Sequence, residues 1–222
     1  MPRGARLAFQ DSFYHVFNRG ANKQQIFFRK EDYQFFLKKL QGLYKKYDHS
    51  VLAYCLMPNH FHISLRTRKS PLAKIMSSLM TSYAMYTNRT YSRVGPLFQN
   101  RYKSILIESD VYFLHVSKYI YYNPVEAGLI KDPMAYEYSS LREALQESPR
   151  FLLDNETQRL IGDTKGSLRQ YKRYILDQDT MDFSEVENLF QSEESVSGTA
   201  GFATRAKRKY VKTRRKKAFS FD

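Results

Sequence analysis

Two periodicities divide the apolar residues along the first two thirds of the chain. Four short runs are rich in β-branched and aromatic side chains, as strands are: residues 13–17, 51–56, 60–66 and 103–108. Elsewhere apolar residues recur every three or four positions, which predicts helices over three segments: 30–47, from 71 to 86, and 110–122. The predicted order is therefore β-α-β-β-α-β, followed by a further helix.

This order predicts an α+β fold. Two β-α-β halves in succession are typical of the ferredoxin-like split arrangement, in which helices cover one face of an antiparallel sheet. Local signals predict where the helices begin and end. We expect Ser70 to cap the second helix with Pro71 at its first position, Ser109 to cap the third, and Pro124 to end it.

The last third of the chain differs in composition. Weaker helical patterns lie at 141–145 and 168–176. They are followed by an acidic stretch at 177–194 and a linker-like segment at 195–200. We predict three parts: a first domain over 1–145, a helical accessory region over 146–194, and a linker with a disordered basic tail over 195–222. The accessory region has three interpretations: a DNA-binding unit, a dimerisation element, or a cover over a groove. Its acidic stretch is expected to compete with DNA for the tail rather than to bind DNA.

The charge of the chain indicates a polyanionic partner. The formal net charge is +14 and the isoelectric point is near 9.7. Nine Lys or Arg residues and one Asp lie within 201–222, and such basic blocks favour nucleic acid without sequence preference. Nucleic acid is favoured over an anionic membrane surface, because the chain has no strongly amphipathic basic helix. The tail residues that we name as candidate DNA contacts are Lys207, Arg208, Lys209, Arg214 and Arg215.

The single cysteine and the lack of long apolar stretches indicate the cellular compartment in which the protein works. Cys55 has no partner for an intrachain disulfide, and one thiol excludes a cysteine-based zinc site. No apolar stretch reaches transmembrane length, and the N-terminus lacks the hydrophobic region of a signal peptide. We therefore expect a cytoplasmic protein, associated with the nucleoid and not with a membrane.

Two histidines stand two residues apart in the third predicted strand. Because side chains alternate along a strand, His60 and His62 point to the same face, roughly 7 Å apart along the backbone, while Phe61 points to the other. Two neutral imidazoles on one face are a common way to hold a divalent cation. The alternative is a pair of histidines satisfied within the structure at a strand edge.

The third predicted helix carries polar residues at intervals of four. His115, Tyr119 and Asn123 share one helical face, with Tyr119 a candidate nucleophile and Asn123 a candidate metal ligand. Asn123 precedes a proline, which biases it away from helical geometry. We expect His115 to be incidental. Spacing alone does not single out Tyr119, since the segment 102–122 holds five tyrosines.

Four motifs together make the chain recognisable. They are YHVFNRG at 14–20, MPNHFH at 57–62, GPLFQNRY at 95–102 and YIYYNPVEAGL at 119–129. In this order they resemble the single-tyrosine HUH transposases, in particular the group related to insertion sequence 200 and the REP-associated tyrosine transposases. The resemblance spans about residues 10–142 and thins beyond 145.

The resemblance implies a fold, an activity and roles for residues. It implies a ferredoxin-like catalytic domain that cuts and rejoins single-stranded DNA near hairpins or palindromes, usually as a homodimer, with a monomer as the alternative. His60 and His62 correspond to the family's metal ligands, Tyr119 to its nucleophile, and Asn123 to the position that completes the metal site. Mg²⁺ or Mn²⁺ is the expected metal, and a 5′-phosphotyrosine is the expected intermediate.

Further candidate DNA contacts come from the same motifs. Arg101 and Lys103 are suited to phosphate, and Tyr102, Phe98 and Tyr83 to stacking on bases. Arg19 and Gln99 complete the set. The alternative for each is ordinary surface charge or core.

Two other functions compete with strand transfer. One is a domesticated protein that binds hairpin DNA with little or no transposition activity. The other is a metal-dependent hydrolase, which needs further His or Asp ligands. The remaining histidines, His15, His49 and His115, form no motif of that kind.

Overall fold

The computed structural model describes residues 9–108, 110–148, 151–162, 164–177, 183 and 196–197. The strands are β1 (Ser12–Arg19), β2 (His49–Met57), β3 (His60–Thr67), β4 (Lys103–Ile107) and β5 (Val196–Ser197). The helices are α1 (Lys30–Tyr47), α2 (Leu72–Thr90), α3 (Asp110–Glu126), α4 (Leu141–Ala144), α5 (Asn155–Ile161) and α6 (Lys165–Leu176).

The sheet has the strand order β2-β3-β1-β4-β5. Its first four strands are antiparallel, and the central strand β1 pairs with both β3 and β4. This is the predicted ferredoxin-like arrangement, so the fold class is confirmed. The register sets Phe17 opposite His62 and Arg19 opposite His60, at the end of β3 where the chain leaves the β2–β3 turn.

The sheet is covered on both faces. Phe61 points to the face occupied by α1, where its ring centroid lies 5.1 Å from that of Phe36. Tyr83 of α2 meets the same Phe36 ring at 5.0 Å, so the two crossover helices share this face. Helix α3 lies on the opposite face, where Tyr119 meets His62. The buried apolar cluster includes side chains from α1, α2 and α3, and its removal from water is a main source of stability.

The ends of α2 and α3 differ from the predicted ends. Ser70 does not cap α2, because Pro71 occupies the cap position and the helix begins at Leu72. Pro124 does not end α3; it lies inside the last turn, where a missing N–H removes a single helical hydrogen bond. The predicted cap Ser109 lies outside the described residues.

The helix continues beyond the proline because the following amides find partners. The amide of Ala127 donates to the carbonyl of Asn123 at 3.0 Å, and Gly128 then ends the turn with φ +68°. Asn123 is therefore helical, contrary to the bias expected before proline. Within the segment predicted as a linker, Val196–Ser197 form β5, which pairs in parallel with β4.

The described part of the accessory region packs against the edge strand β2. Leu153 forms a parallel bridge with Val51, and the hydroxyl of Thr157 on α5 lies 3.3 Å from the carbonyl of Leu52. Helix α6 packs on α3, where the buried amine of Lys118 donates to the carbonyl of Tyr174 at 3.0 Å. Burial lowers the pKa of Lys118. No helix among the described residues is long and apolar enough to cross a membrane.

Candidate active site

A cleft of about 400 Å³ opens where β1, β3 and the segment before β4 meet α3. It contains eight of the site residues expected from the sequence. Its lining residues are Phe17, Asn18, Arg19, His60, His62, Gln99, Asn100, Arg101, Lys103, Tyr119 and Asn123.

The two histidines of β3 point to this face as the alternation predicts. Their ring centroids lie 5.1 Å apart with the rings nearly perpendicular. Nδ1 of His60 lies 2.6 Å from Oδ1 of Asn59, and Nδ1 of His62 lies 2.9 Å from Nε2 of His15. Because an amide oxygen can only accept, the proton of a neutral His60 is on Nδ1, and its Nε2 keeps a lone pair.

Asn123 brings an oxygen to the same point. Its Nδ2 donates to the carbonyl of Tyr119, one helical turn earlier, at 2.8 Å. That bond orients the amide so that Oδ1 lies 3.4 Å from Nε2 of His60. Two lone pairs that face each other at this distance are suited to share a cation. Two imidazoles and an amide oxygen are donors that fit a divalent ion, whose other positions take water or phosphate oxygens.

Burial keeps the imidazoles neutral. It lowers the pKa of His62 well below the usual 6.5, and repulsion from His15 and His60 lowers it further. Burial also lowers the pKa of His60; Arg19 adds to this, and the contact with Asn123 opposes it. The pKa of His15 falls to about 3 through burial. Neutral rings are the form that can bind a metal.

Tyr119 joins the histidines from the helix on this face. Its half-buried ring lies 5.5 Å from the ring of His62 and 6.0 Å from that of His15. The ring of Phe183 also contacts it, at 5.5 Å. The structure separates this tyrosine from its neighbours, because Tyr119 lines the cleft whereas Tyr121 is buried in the core.

The cationic candidates of the folded region gather around the cleft. Arg19 donates to Oε1 of Gln99 at 3.3 Å, and both are exposed beside Arg101 and Lys103. Tyr102 does not belong with them. It is 6% exposed and packs in the core, which leaves little of its ring accessible for stacking on a base.

The other aromatic and basic candidates also lie elsewhere. Tyr83 is fully buried and its hydroxyl donates to the carbonyl of Ile26, while Phe98 is half-buried against the core. His115 meets the hydroxyl of Tyr174 at 3.1 Å, consistent with an incidental role. The five candidate contacts of the tail, Lys207, Arg208, Lys209, Arg214 and Arg215, lie outside the described residues.

Sequence reasoning missed two neighbours of the histidines. No spacing along the chain links His15 to His62, 47 residues away. Asn59 belongs to the MPNHFH motif, but its residue type alone does not indicate a role beside His60. The sequence does place His15 two residues before Phe17 in a predicted strand, so the two side chains share one face. The register of β1 against β3 is needed to show that this face is also the face of His62.

Within the described ranges, no three His, Cys, Asp or Glu side chains are grouped to hold a metal. The amide of Asn123, the third candidate donor, is not a residue of these types. In that part of the chain, the additional His or Asp ligands that the hydrolase alternative needs are not grouped.

The fold and the cleft are those of a DNA transposase domain, and comparison identifies the family. A family model described as "Transposase IS200 like" matches residues 8–123, more than half of the chain. The chain therefore belongs to the IS200-like transposase family, whose members are DNA-processing enzymes. A search of curated protein sequences finds no match.

Solved structures agree in fold. A REP-associated tyrosine transposase bound to a REP hairpin superposes with a TM-score of 0.57, at 15% identity, over 67% of this chain and 89% of that one. A protein from Deinococcus radiodurans assigned as a transposase aligns over 54% of this chain and 94% of that one, at 15% identity. Its TM-score is 0.37, too low to support an argument.

Proposed function

We propose that this protein is a metal-dependent single-stranded DNA endonuclease and strand transferase that cuts near hairpins through a 5′-phosphotyrosine. One observation supports this most strongly: the ring of Tyr119 lies 5.5 Å from that of His62 in the cleft where His60 and Asn123 face each other. The candidate nucleophile and the candidate metal donors thus line the same cleft.

The residues divide the chemistry between them. His60, His62 and Asn123 would hold Mg²⁺ or Mn²⁺, and the bound ion would polarise the scissile phosphate as a Lewis acid. The phenolic oxygen of Tyr119 attacks phosphorus, and the bond between phosphorus and the 3′ oxygen breaks. The phenolic proton passes to solvent, and the departing 3′ oxygen takes up a proton.

The covalent link conserves the energy of the broken bond. A 3′ hydroxyl from the same or another strand can attack the phosphotyrosine, re-form the phosphodiester and release Tyr119, without ATP. A hydrolase that used water would not retain this option. The position of Tyr119 in the cleft therefore supports strand transfer rather than simple hydrolysis.

DNA with hairpin or palindromic elements is the proposed substrate. The hairpin bound to the REP-associated transposase suggests this class, and the cleft supports it because Arg19, Arg101 and Lys103 surround the donors. The basic tail adds contacts of low sequence preference. A homodimer remains our expectation, with a monomer as the alternative.

Covalent trapping tests the proposal. The protein is mixed with 3′-labelled single-stranded hairpin DNA and Mn²⁺, with flanking sequences varied, and run on a denaturing gel. We expect a labelled adduct that resists SDS and disappears with chelator, with Tyr119→Phe and with His60→Ala. The matched control is Tyr112→Phe, a half-buried tyrosine of the same helix that does not line the cleft.

Two other results would overturn the proposal. Cleavage without an adduct, retained in Tyr119→Phe, would identify water as the nucleophile. Hairpin binding without cleavage across the varied flanks would favour the domesticated binding protein. His60→Ala should leave the DNA affinity measured in chelator unchanged, because His60 is assigned to the metal and not to the DNA.

A further inference from the structure

We propose that His15 is a positioning residue that fixes which nitrogen of His62 carries the proton, and so keeps Nε2 of His62 available to the metal. The inference rests on the proposed function, since it concerns the same metal site. It assigns a role to a histidine outside the His-x-His pair, on a different strand.

The sheet holds the two rings in place. β1 and β3 pair with Phe17 opposite His62, so His15 lies two residues along β1 on the same face. Nε2 of His15 is 2.9 Å from Nδ1 of His62, and the ring centroids are 5.1 Å apart. His15 is fully buried and His62 is 4% exposed, so bulk water does not compete for this hydrogen bond.

The bond has two arrangements with different consequences. If Nδ1 of His62 donates, Nε2 of His62 has a lone pair and can bind a cation. If Nε2 of His15 donates instead, a neutral His62 carries its proton on Nε2 and cannot bind through that atom. A metal-binding His62 therefore requires His15 as the acceptor, with the proton of His15 on its own Nδ1.

His60 offers a parallel within the same site. Its Nδ1 meets Oδ1 of Asn59, which can only accept. Each histidine of the pair thus has a hydrogen-bond partner at Nδ1, and Nε2 is the nitrogen that we assign to the metal. Metal-ligating histidines depend on such partners, and loss of the partner typically weakens metal binding about ten- to a hundredfold.

Two substitutions separate the hydrogen bond from packing. His15→Phe keeps a planar ring but removes the acceptor. His15→Gln places an amide oxygen near the position of Nε2 and can still accept. His49→Phe is the matched control, because His49 is also a buried histidine, 1% exposed, but it begins β2 at the end of the strand remote from His60.

The first measurement uses the metal-free wild-type protein. Nitrogen-15 NMR reports the tautomer of each histidine ring, and we expect His62 to carry its proton on Nδ1. A His62 that carries it on Nε2 overturns the inference without any variant. In His15→Phe the Nδ1-protonated fraction should fall, and in His15→Gln it should be kept.

The second measurement is the Mn²⁺ dissociation constant in titrations of the full chain. We expect His15→Phe to raise it about ten- to a hundredfold. His15→Gln should recover most of the loss, and His49→Phe should match the wild type. DNA affinity in chelator should be unchanged in all three.

The outcomes distinguish this inference from the proposed function. A wild-type protein that binds no Mn²⁺ contradicts the proposed metal site, whatever the tautomer of His62. A wild type that binds Mn²⁺, with a folded His15→Phe that binds it equally well, contradicts the role of His15 alone. If His15→Phe does not fold, the wild-type tautomer and the comparison of His15→Gln with wild type decide.

Discussion

Oδ1 of Asn123 lies 3.4 Å from Nε2 of His60, although the two residues are 63 positions apart along the chain. The contact joins the last turn of α3 to the first residue of β3. It exists because α3 continues through Pro124, which keeps Asn123 on the same helical face as Tyr119. The helix that carries the candidate nucleophile therefore also carries the third candidate metal donor.

Removal of this oxygen should weaken metal binding. Asn123→Leu keeps the volume but offers no lone pair, and we expect the Mn²⁺ dissociation constant to rise about tenfold, or 1.4 kcal/mol. Asn123→Asp retains an oxygen donor with added charge and should bind Mn²⁺ at least as tightly as wild type. Isothermal titration of both variants checks this. A leucine variant with wild-type affinity would show that Asn123 is not a ligand.

Each chain should form its own site. Tyr119 stands beside His62 of the same chain, so we expect the tyrosine and the candidate metal donors of one chain to act together, in cis. A mixture of His60→Ala and Tyr119→Phe proteins should therefore remain inactive in the covalent-trapping assay. Recovery of adduct in the mixture, absent from either variant alone, would mean that α3 is exchanged between subunits.

The cations around the cleft should contact DNA phosphates. Arg101→Gln and Lys103→Gln should each weaken binding to single-stranded hairpin DNA and reduce the slope of log affinity against log salt by about 0.7. Arg159→Gln is the control, because Arg159 is an exposed arginine of α5 that does not line the cleft. Titrations at several salt concentrations in chelator measure the slopes, and unchanged slopes would remove these residues from the interface.

A buried carboxylate should stabilise the junction of α4 with β2. Glu143 is 7% exposed. Its carboxylate accepts hydrogen bonds from the hydroxyl of Tyr54 at 2.7 Å and from the amides of Phe151 and Leu152 at 2.9 Å. Glu143→Gln puts an amide donor where an acceptor is needed, so we expect a loss of roughly 2 kcal/mol and a Tm lower by about 4–8 °C.

Thermal unfolding checks this prediction, with Glu147→Gln as the control. Glu147 is half-exposed and pairs with Lys172 at the surface, so its loss should cost under about 0.5 kcal/mol. Equal shifts in the two variants would contradict the assigned role of Glu143.

A buried histidine should make stability depend on pH. Burial lowers the pKa of His49 to about 4 from the usual 6.5, while Asp154 and Asp48 oppose the shift. The unfolded chain therefore binds the proton first as pH falls. The contribution of neutral His49 to the free energy of unfolding is complete above pH 6.5 and is lost between pH 6.5 and 4. Its upper value is about 3 kcal/mol.

Denaturant titrations across this range measure the effect. His49→Phe, which cannot titrate, should show a shallower decline in the free energy of unfolding between pH 6.5 and 4. An identical decline in both proteins would mean that the pKa of His49 is the same in the folded and unfolded chain.

Local patterns were enough for much of the architecture. The alternation around Phe61 predicted both the strand and the shared face of His60 and His62, because side-chain direction in a strand depends on parity alone. The stripe along α1 predicted its bounds, 30–47, because helical periodicity is a property of one segment. The motifs then indicated the family.

Long-range contacts decided the rest. The sequence could not show that His15 meets His62, because the register of β1 on β3 is set by packing of the whole sheet. Nor could spacing along the chain separate Tyr119 in the cleft from Tyr102 in the core, since the burial of each side chain depends on how its segment packs.

The sequence by itself therefore determined the order of elements, the fold class, and the residues that have the chemistry for a metal and a nucleophile. Only the tertiary structure decided which of them meet, which face α3 covers, and what holds each histidine in its orientation. The physical reason is that periodicity and turn chemistry act over a few residues, whereas strand register and helix docking depend on burial across the whole domain.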